Sequence, residues 1–282
     1  MAGPNWSAAY VVSTAVALVA GLVSLMGLLV EDLYTDPASV AEMLRGYDLV
    51  TLVVVVPLLV LAQLWARRGS DRARLLWAGA LAYLACTYAY YLFGTSFNDV
   101  FVLHVVVLDG AVLALVLTVA ALDIPAVGAG FARRTPIRLV SAVLGLLAAG
   151  LGGMWVYYSL RFAVTGEVPA GSALVEPDHV VHLGFALDLA LLVPVYALAA
   201  FLLWRGVAAG FVLATVVLVS GTLQQVSYMV ALLFQAAADV PGAVAFDPVE
   251  PAIAILIVGA AALMLSGVGR RHDDVDRTRI AT

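Results

Sequence analysis

The chain has no lysine, a single cysteine and few charged residues of any kind. All 14 basic residues are arginine, and charged residues make up 12% of the 282 positions. Because a retinal Schiff base needs a lysine amine, the composition excludes a light-driven rhodopsin. Cys86 has no second cysteine to pair with, so intrachain disulfides and cysteine-based zinc sites are also excluded. We predict that Cys86 is a buried, inert thiol.

Several motifs of soluble enzymes are missing as well. The sequence contains no phosphate-binding loop, no Rossmann glycine fingerprint, no HExxH zinc helix and no nucleophile elbow. The formal net charge is −5, so the chain offers no basic surface of the kind that binds nucleic acid. We therefore predict no nucleic-acid partner.

Apolar residues are abundant and form 64% of the chain. An average soluble domain is only about half apolar, and a chain of this length buries about three quarters of its surface when it folds alone. The remaining apolar surface needs a partner other than water. We therefore predict a multi-pass protein of the cell membrane, with the lipid bilayer as its main partner.

Eight apolar stretches are long enough to cross a membrane. A helix needs about 20 residues to span a hydrocarbon core about 30 Å thick, and lipid tolerates only structures that satisfy their own backbone hydrogen bonds. We predict an all-α, polytopic transmembrane bundle that forms one domain over residues 1–282, with no internal repeat and a polar tail at about 270–282. The predicted spans are 8–30, 49–66, 75–93, 100–122, 137–158, 179–204, 209–234 and 251–268.

Charge alternates from one predicted loop to the next. Arginines collect in the loops near 67–74, 133–138 and 205 and in the tail, whereas the intervening loops are acidic. Short arginine-rich loops stay in the cytoplasm, so both termini are predicted to be cytoplasmic. Only Arg45 and Arg161 lie on the acidic side, and we expect Arg161 to pair with an acid. The first acidic segment, 31–48, is either a short helix on the membrane surface or an ordered loop.

Ionisable side chains inside the predicted spans are concentrated in the fourth and the sixth. Each costs roughly 2.5–3.5 kcal/mol at the bilayer centre, so such residues usually face a bundle interior or a water-filled cavity. His104 lies near the outer end of the fourth span, and Asp109 lies near its middle. His179 and His182 lie at the outer end of the sixth span, and Asp188 lies near its middle.

The histidines support two interpretations. His179 and His182 are three residues apart and share a helix face, so with His104 they can form a site for a transition metal or haem iron. The alternative is that they make ordinary hydrogen bonds at the membrane interface.

The aspartates also support two interpretations. A carboxylate at mid-membrane needs a proton, a cation or a donor, and Gln225 in the seventh span lies at a similar depth. Asp109 and Asp188 therefore belong either to a polar lock between helices or to a proton or cation relay that opens to the outer side. Further polar residues near the outer surface either line a vestibule over the histidines or serve as interfacial anchors and loop contacts; they are Asp48, Tyr88, Tyr90, Tyr91, Asn98, Arg161 and Glu250.

Three segments carry a resemblance to a known group of proteins. They are Gly46-Tyr47-Asp48-Leu49-Val50-Thr51 leading into Pro57, Arg68-Gly69-Ser70 with the tyrosine-rich run 75–98, and Asp188-Leu189-Ala190 leading to Pro194. Over about half of the chain the sequence resembles a family of uncharacterised multi-pass membrane proteins of bacteria and archaea. The resemblance implies the same membrane architecture and brings no activity, cofactor or catalytic residue. It favours Asp48, Asn98 and Asp188 as shared functional residues.

The favoured hypothesis is a helical bundle with a polar cavity open to the extracytoplasmic side, which binds or transports a small solute, a proton or a cation. One alternative is a membrane enzyme that uses haem or a metal at His104, His179 and His182. Another is a non-catalytic membrane subunit whose polar residues only set helix packing. The sequence identifies no protein partner.

Overall fold

The computed structural model describes residues 6–131, 133, 135–169 and 173–269. The structure is all-helical, with 80% helix, and its described residues form no β-strand. Two residues, Phe131 and Val268, make an isolated bridge. The predicted polar tail at about 270–282 lies outside the described residues, as do Arg134, Arg270 and Arg271.

Within the described residues, eight helices are long and apolar enough to cross a membrane, which confirms the predicted number. We refer to them as the first to eighth spans. Their bounds are Trp6–Leu29, Ala38–Ala66, Asp71–Phe93, Phe101–Ala120, Ile137–Thr165, Asp178–Trp204, Ala208–Ala237 and Val249–Gly267. A short helix, Ile124–Ala129, lies between the fourth and fifth spans.

The second span is longer than predicted. Residues 38–50 are neither a surface helix nor a loop, because they continue without a break into the predicted span. Val40, Met43, Leu44 and Tyr47 recur at helical spacing and are buried against the bundle. Their packing extends the helix beyond its most apolar part and brings Asp48 into the interior of the bundle.

The outward face of the bundle is apolar. Leu18 of the first span, Val102 of the fourth and Ile255 of the eighth are 70%, 68% and 73% exposed, respectively. Exposed apolar surface of this kind on every side suits lipid and not water. The structure is therefore that of a multi-pass membrane protein.

The loops between spans meet at two ends. At the end we call the acidic end, the backbone N–H of Ser96 donates to Asp36 over 2.8 Å. The amide of Gln235 there donates to the carbonyls of Ser39 and Val175 over 2.7 and 2.9 Å. These contacts join all four acidic loops or the spans that flank them.

The opposite end carries the arginines, and we call it the arginine end. Arg72 at the start of the third span donates to the carbonyl of Val268 over 3.1 Å. The N–H of Gly269 donates to the carbonyl of Gly130 over 2.9 Å. The charge alternation in the sequence therefore corresponds to two different ends of one bundle.

The second and sixth spans share an irregularity. Each has a π-helical turn, Thr51–Val55 in one and Asp188–Leu192 in the other, that ends two residues before a proline. Pro57 and Pro194 have no N–H to donate, so the helix cannot keep its regular hydrogen bonds there. Such π turns occur frequently at functional sites.

These irregularities are part of an internal repeat that the sequence analysis did not detect. Thr87 and Gln224, which are hydrogen bonded, are 137 residues apart. The same separation relates Pro57 to Pro194 and the start of the third span to the start of the seventh. In each half the four spans pack in the same cyclic order, and the seventh span joins the halves by packing against the second and third.

Candidate functional site

Among the residues that the structure describes, the most buried acidic side chain is Asp48 in the second span. It is 0% exposed and makes no ion pair with any described residue. Transfer of an isolated ionised carboxylate into an apolar interior is very unfavourable, so such a group needs hydrogen bonds or a proton. Its surroundings therefore define the candidate site.

Two tyrosine hydroxyls contact the Asp48 carboxylate. Tyr34 donates to Oδ2 over 2.5 Å. The hydroxyl of Tyr91 lies 3.1 Å from Oδ1 and 2.9 Å from the carbonyl of Leu44, and its single proton can go to either oxygen. When Asp48 is ionised, both tyrosines can donate to it. When Asp48 is protonated, it can donate to Tyr91, which then donates to Leu44.

The first span leaves space for this carboxylate. Gly27 faces it, and a Cβ at that position would collide with Asp48 and with the Tyr34 hydroxyl. Ser24, one turn earlier, lies close to Asp48 and to Tyr88. The Ser24 and Tyr88 hydroxyls have no hydrogen-bond partner among the described residues, so the cluster keeps unused hydrogen-bonding capacity.

His104 of the fourth span is part of the same cluster. Its ring lies 4.9 Å from that of Tyr91 and 5.7 Å from that of Tyr88, centroid to centroid. The side chain is 0% exposed, and neither ring nitrogen has a partner among the described residues. We call Ser24, Tyr34, Asp48, Tyr88, Tyr91 and His104 the Asp48 cluster.

A pocket at the acidic end reaches this cluster. It has a volume of about 280 Å³, and its lining includes the polar side chains of Asp32, Asp36, Glu42 and Arg45 together with Tyr34. Burial and the neighbouring Asp48 raise the pKa of Tyr34 well above its usual value, so the phenol remains a donor. Tyr34 is therefore a bridge between the pocket and Asp48.

Toward the arginine end, the fourth span offers no continuation of this polar path. Its buried residues after His104 are Val107, Ala111 and Ala114, and the next buried polar group is Thr118. That hydroxyl lies about 20 Å along the helix, at 1.5 Å per residue. Along this span, polar groups therefore lead to His104 only from the acidic end.

A second polar line starts near Asp48 and runs deeper into the core. The Tyr83 hydroxyl lies 3.3 Å from that of Thr51 and 2.7 Å from that of Ser227. All three side chains are at most 1% exposed. They are neutral, so they connect the second, third and seventh spans without adding charge.

Three of the predicted candidates lie outside the Asp48 cluster. The side-chain Oδ1 of Asn98 accepts a hydrogen bond from the backbone N–H of Val100 over 3.1 Å and so fixes the turn before the fourth span. Gln225 donates to Glu250 over 2.6 Å. Arg161 pairs with Glu167, as expected.

The two aspartates predicted at mid-depth do not meet. Asp109 lies on the exposed face of the fourth span and makes no hydrogen bond with a described residue. Asp188 begins the π turn of the sixth span and accepts a hydrogen bond from the indole N–H of Trp155 over 2.8 Å. A shared relay of these two aspartates is therefore not formed.

The three histidines do not form a metal site. No group of three or more His, Cys, Asp or Glu side chains among the described residues is placed to hold a metal ion. His104 is enclosed by tyrosine rings, whereas His179 and His182 are exposed at the start of the sixth span. These residues therefore do not form the shared metal or haem-iron site that was one of the two interpretations of the histidines.

Some residues of the cluster escaped the sequence analysis. Tyr34 lies in a loop, and Ser24 and Gly27 lie in an otherwise apolar helix, so neither depth nor charge identified them. Tyr88 and Tyr91 were vestibule candidates, and their separation of three residues places them on one helix face. Cys86 was predicted to be buried, but its side chain is exposed.

Comparisons with known proteins add no identification. Nothing matches the chain among the family models, the curated proteins or the solved structures that were compared with it. The resemblance to uncharacterised multi-pass membrane proteins therefore remains a prediction.

Proposed function

We propose that the protein exchanges protons between the acidic end and the buried Asp48 cluster, as the proton-binding step of a membrane transport or signalling protein. The observation that carries the proposal is the position of Asp48. It is fully buried, its hydrogen bonds come from tyrosines, and one of those tyrosines also lines the pocket at the acidic end.

The hydrogen-bond geometry supports a proton as the species bound. Tyr91 can turn its proton from Leu44 to Asp48, so the network accommodates both protonation states of the carboxyl without a change of helix position. The Gly27 backbone and the Tyr34 hydroxyl lie tightly against Oδ2, which leaves no space for a hydrated cation at that oxygen.

The experiment is proton uptake by the purified protein after a rapid pH step, followed with a pH-sensitive dye, together with infrared difference spectra of the carboxyl band. We expect Asp48→Asn to abolish the carboxyl signal and to lower the uptake assigned to the cluster at least tenfold. Tyr34→Phe keeps Asp48 but interrupts the path, so it should slow the uptake without reducing its final extent. The matched control is Asp109→Asn, which removes an exposed carboxyl.

The proposal fails if Asp48→Asn preserves both the uptake and the carboxyl band. It also fails if wild-type protein shows no uptake at the cluster while Asp48→Asn only lowers thermal stability. That second outcome would make Asp48 a polar lock between the first, second and third spans. The orientation of the acidic end toward the cell exterior is part of the proposal and follows from the arginine distribution.

A further inference from the structure

The lipid-facing side of the fourth span carries a carboxyl group. Asp109 lies near the middle of this 20-residue helix, on its exposed face. It makes no hydrogen bond or ion pair with a described residue. Ionisable side chains within a membrane rarely face lipid, because lipid offers them neither hydrogen bonds nor an opposite charge. Asp109 therefore indicates that a protein surface covers this side of the helix.

The fourth span lies at the edge of the bundle, so nothing in the described part of the same chain covers Asp109. The helix packs mainly against the first and third spans. His104 contacts tyrosine rings of the third span, and Gly110 lies so close to the first span that an added Cβ would collide with Val16. These contacts fix the rotation of the helix and leave its outward side to a partner from outside the chain.

Apolar side chains continue the exposed surface on both sides of Asp109. They recur three or four residues apart, which places them in one line along the helix. Their exposed fractions are between 46% and 68%. The residues are Val102, Val106, Leu113 and Val116, and together with Asp109 we call them the Asp109 stripe. A line with this spacing is the surface through which two helices pack at a small crossing angle.

The first span provides a comparison, because its exposed line has the same spacing without a carboxyl. Leu18, Leu22 and Leu25 are 70%, 51% and 42% exposed. Leucine side chains are as apolar as lipid tails, so they need no protein partner. The spacing of the residues therefore does not distinguish the two surfaces, whereas the carboxyl does.

A second copy of the chain offers a group that is complementary to Asp109. Copies inserted into one membrane share an orientation, so the two-fold axis of a dimer runs along the membrane normal and residues beside it meet their own counterparts at the same depth. A protonated carboxyl can donate to its counterpart, and a hydrogen bond to an ionised acceptor is short and strong. The arginines lie toward the ends of the described spans and not near their middles. At this depth the chain can therefore pair Asp109 with a carboxyl and not with a cation.

We propose that the protein forms a symmetric dimer through the Asp109 stripe, in which the two Asp109 carboxyls are hydrogen bonded to each other. The valine and leucine side chains on either side pack against their counterparts and shield the pair from lipid. This inference goes beyond the proposed proton exchange and does not depend on it, because Asp48 is enclosed within each copy.

Disulfide cross-linking in native membranes tests this interface. In a Cys86→Ser background, Val106→Cys and Leu113→Cys are introduced one turn before and one turn after Asp109, and each variant is oxidised with copper phenanthroline. A disulfide needs Cα atoms within about 7 Å of each other, so rapid cross-linking requires contact between the two stripes. The matched control is Leu18→Cys, on the exposed line of the first span. Mass spectrometry identifies the cross-linked product.

We expect Val106→Cys and Leu113→Cys to cross-link at least fivefold faster than Leu18→Cys, and the product to have the mass of two copies. Asp109→Leu in the Val106→Cys chain should lower the rate at least fivefold, because leucine cannot form a hydrogen-bonded pair. Asp109→Asn should retain cross-linking, because two amide side chains donate to and accept from each other. Neither substitution removes a contact within the described chain, so both variants should fold, which monodisperse elution in detergent checks.

Equal cross-linking rates of Val106→Cys, Leu113→Cys and Leu18→Cys would overturn the proposal. An undiminished rate in Asp109→Leu would overturn it as well, since the carboxyl pair would then not hold the dimer together. A product that joins the chain to a different polypeptide would assign the stripe to another membrane protein and would also exclude the symmetric dimer.

Discussion

At the scale of single residues, the candidate site depends on how a buried carboxyl is accommodated. Asp48 has no basic partner among the described residues, so tyrosine hydroxyls and the space beside Gly27 make its burial tolerable. Position 27 requires glycine for a steric reason, because the side chain of any other residue would displace the Asp48 carboxylate or the Tyr34 hydroxyl.

The first prediction concerns Gly27→Ala. Overpacking of a tightly packed interior typically costs about 1–3 kcal/mol, so we expect the free energy of unfolding to fall by about this amount and proton uptake at Asp48 to decrease. The matched control is Gly145→Ala in the fifth span, where an added Cβ meets no atom within 4 Å. In that helix the alanine should be neutral or stabilising. Equal stability of the two variants in detergent unfolding would contradict the prediction.

At the scale of helices, the seventh span connects the two halves of the repeat. Thr87 of the third span donates to the side-chain carbonyl of Gln224 in the seventh over 3.0 Å, and the two residues hold equivalent positions in the halves. The contact therefore joins the two four-span halves. Because the two side chains belong to different halves, loss of the hydrogen bond should weaken the interface between the halves and not the packing within either half.

The second prediction is a double-mutant cycle at this contact. Thr87→Val leaves the Gln224 carbonyl without its donor, which should cost about 1 kcal/mol or more. Removing both groups in Thr87→Val/Gln224→Leu should cost less than the sum of the single changes, because no unpaired polar atom remains. Thr222→Val is the control, since that hydroxyl only bonds the Leu218 carbonyl of its own helix. Strict additivity in unfolding measurements would exclude a direct coupling.

At the scale of the whole molecule, charge separates the two ends of the bundle. The acidic-end pocket opens onto the Asp48 cluster, and the buried face of the fourth span beyond His104 is apolar as far as Thr118. Along this span, the proposed proton access is therefore confined to the acidic end.

The third prediction concerns the orientation of the molecule in the membrane. In a Cys86→Ser background, Ala245→Cys at the acidic end should react with a membrane-impermeant maleimide added to intact cells. Arg68→Cys at the arginine end should react only after the membrane is permeabilised. The reverse pattern would place the arginine end outside and would contradict the positive-inside assignment.

Composition and local pattern determined the architecture by themselves. A content of 64% apolar residues favours lipid, and the spacing of apolar stretches and arginines predicts eight helices whose loops alternate between two ends, because each of these properties follows from neighbours in the sequence. The same local information identified Asp48 and His104 as candidates. It also placed Pro57 and Pro194 inside spans.

Only the tertiary structure decided which polar residues meet. Asp109 and Asp188 occupy comparable depths in the sequence pattern, yet Asp109 faces outward and Asp188 contacts Trp155. Asp48, Tyr34 and His104 come together from three segments because the first four spans pack in a ring. The order and rotation of helices around a bundle depend on contacts between residues far apart in the chain. The periodicity of apolar residues within one helix does not indicate which distant residues make those contacts.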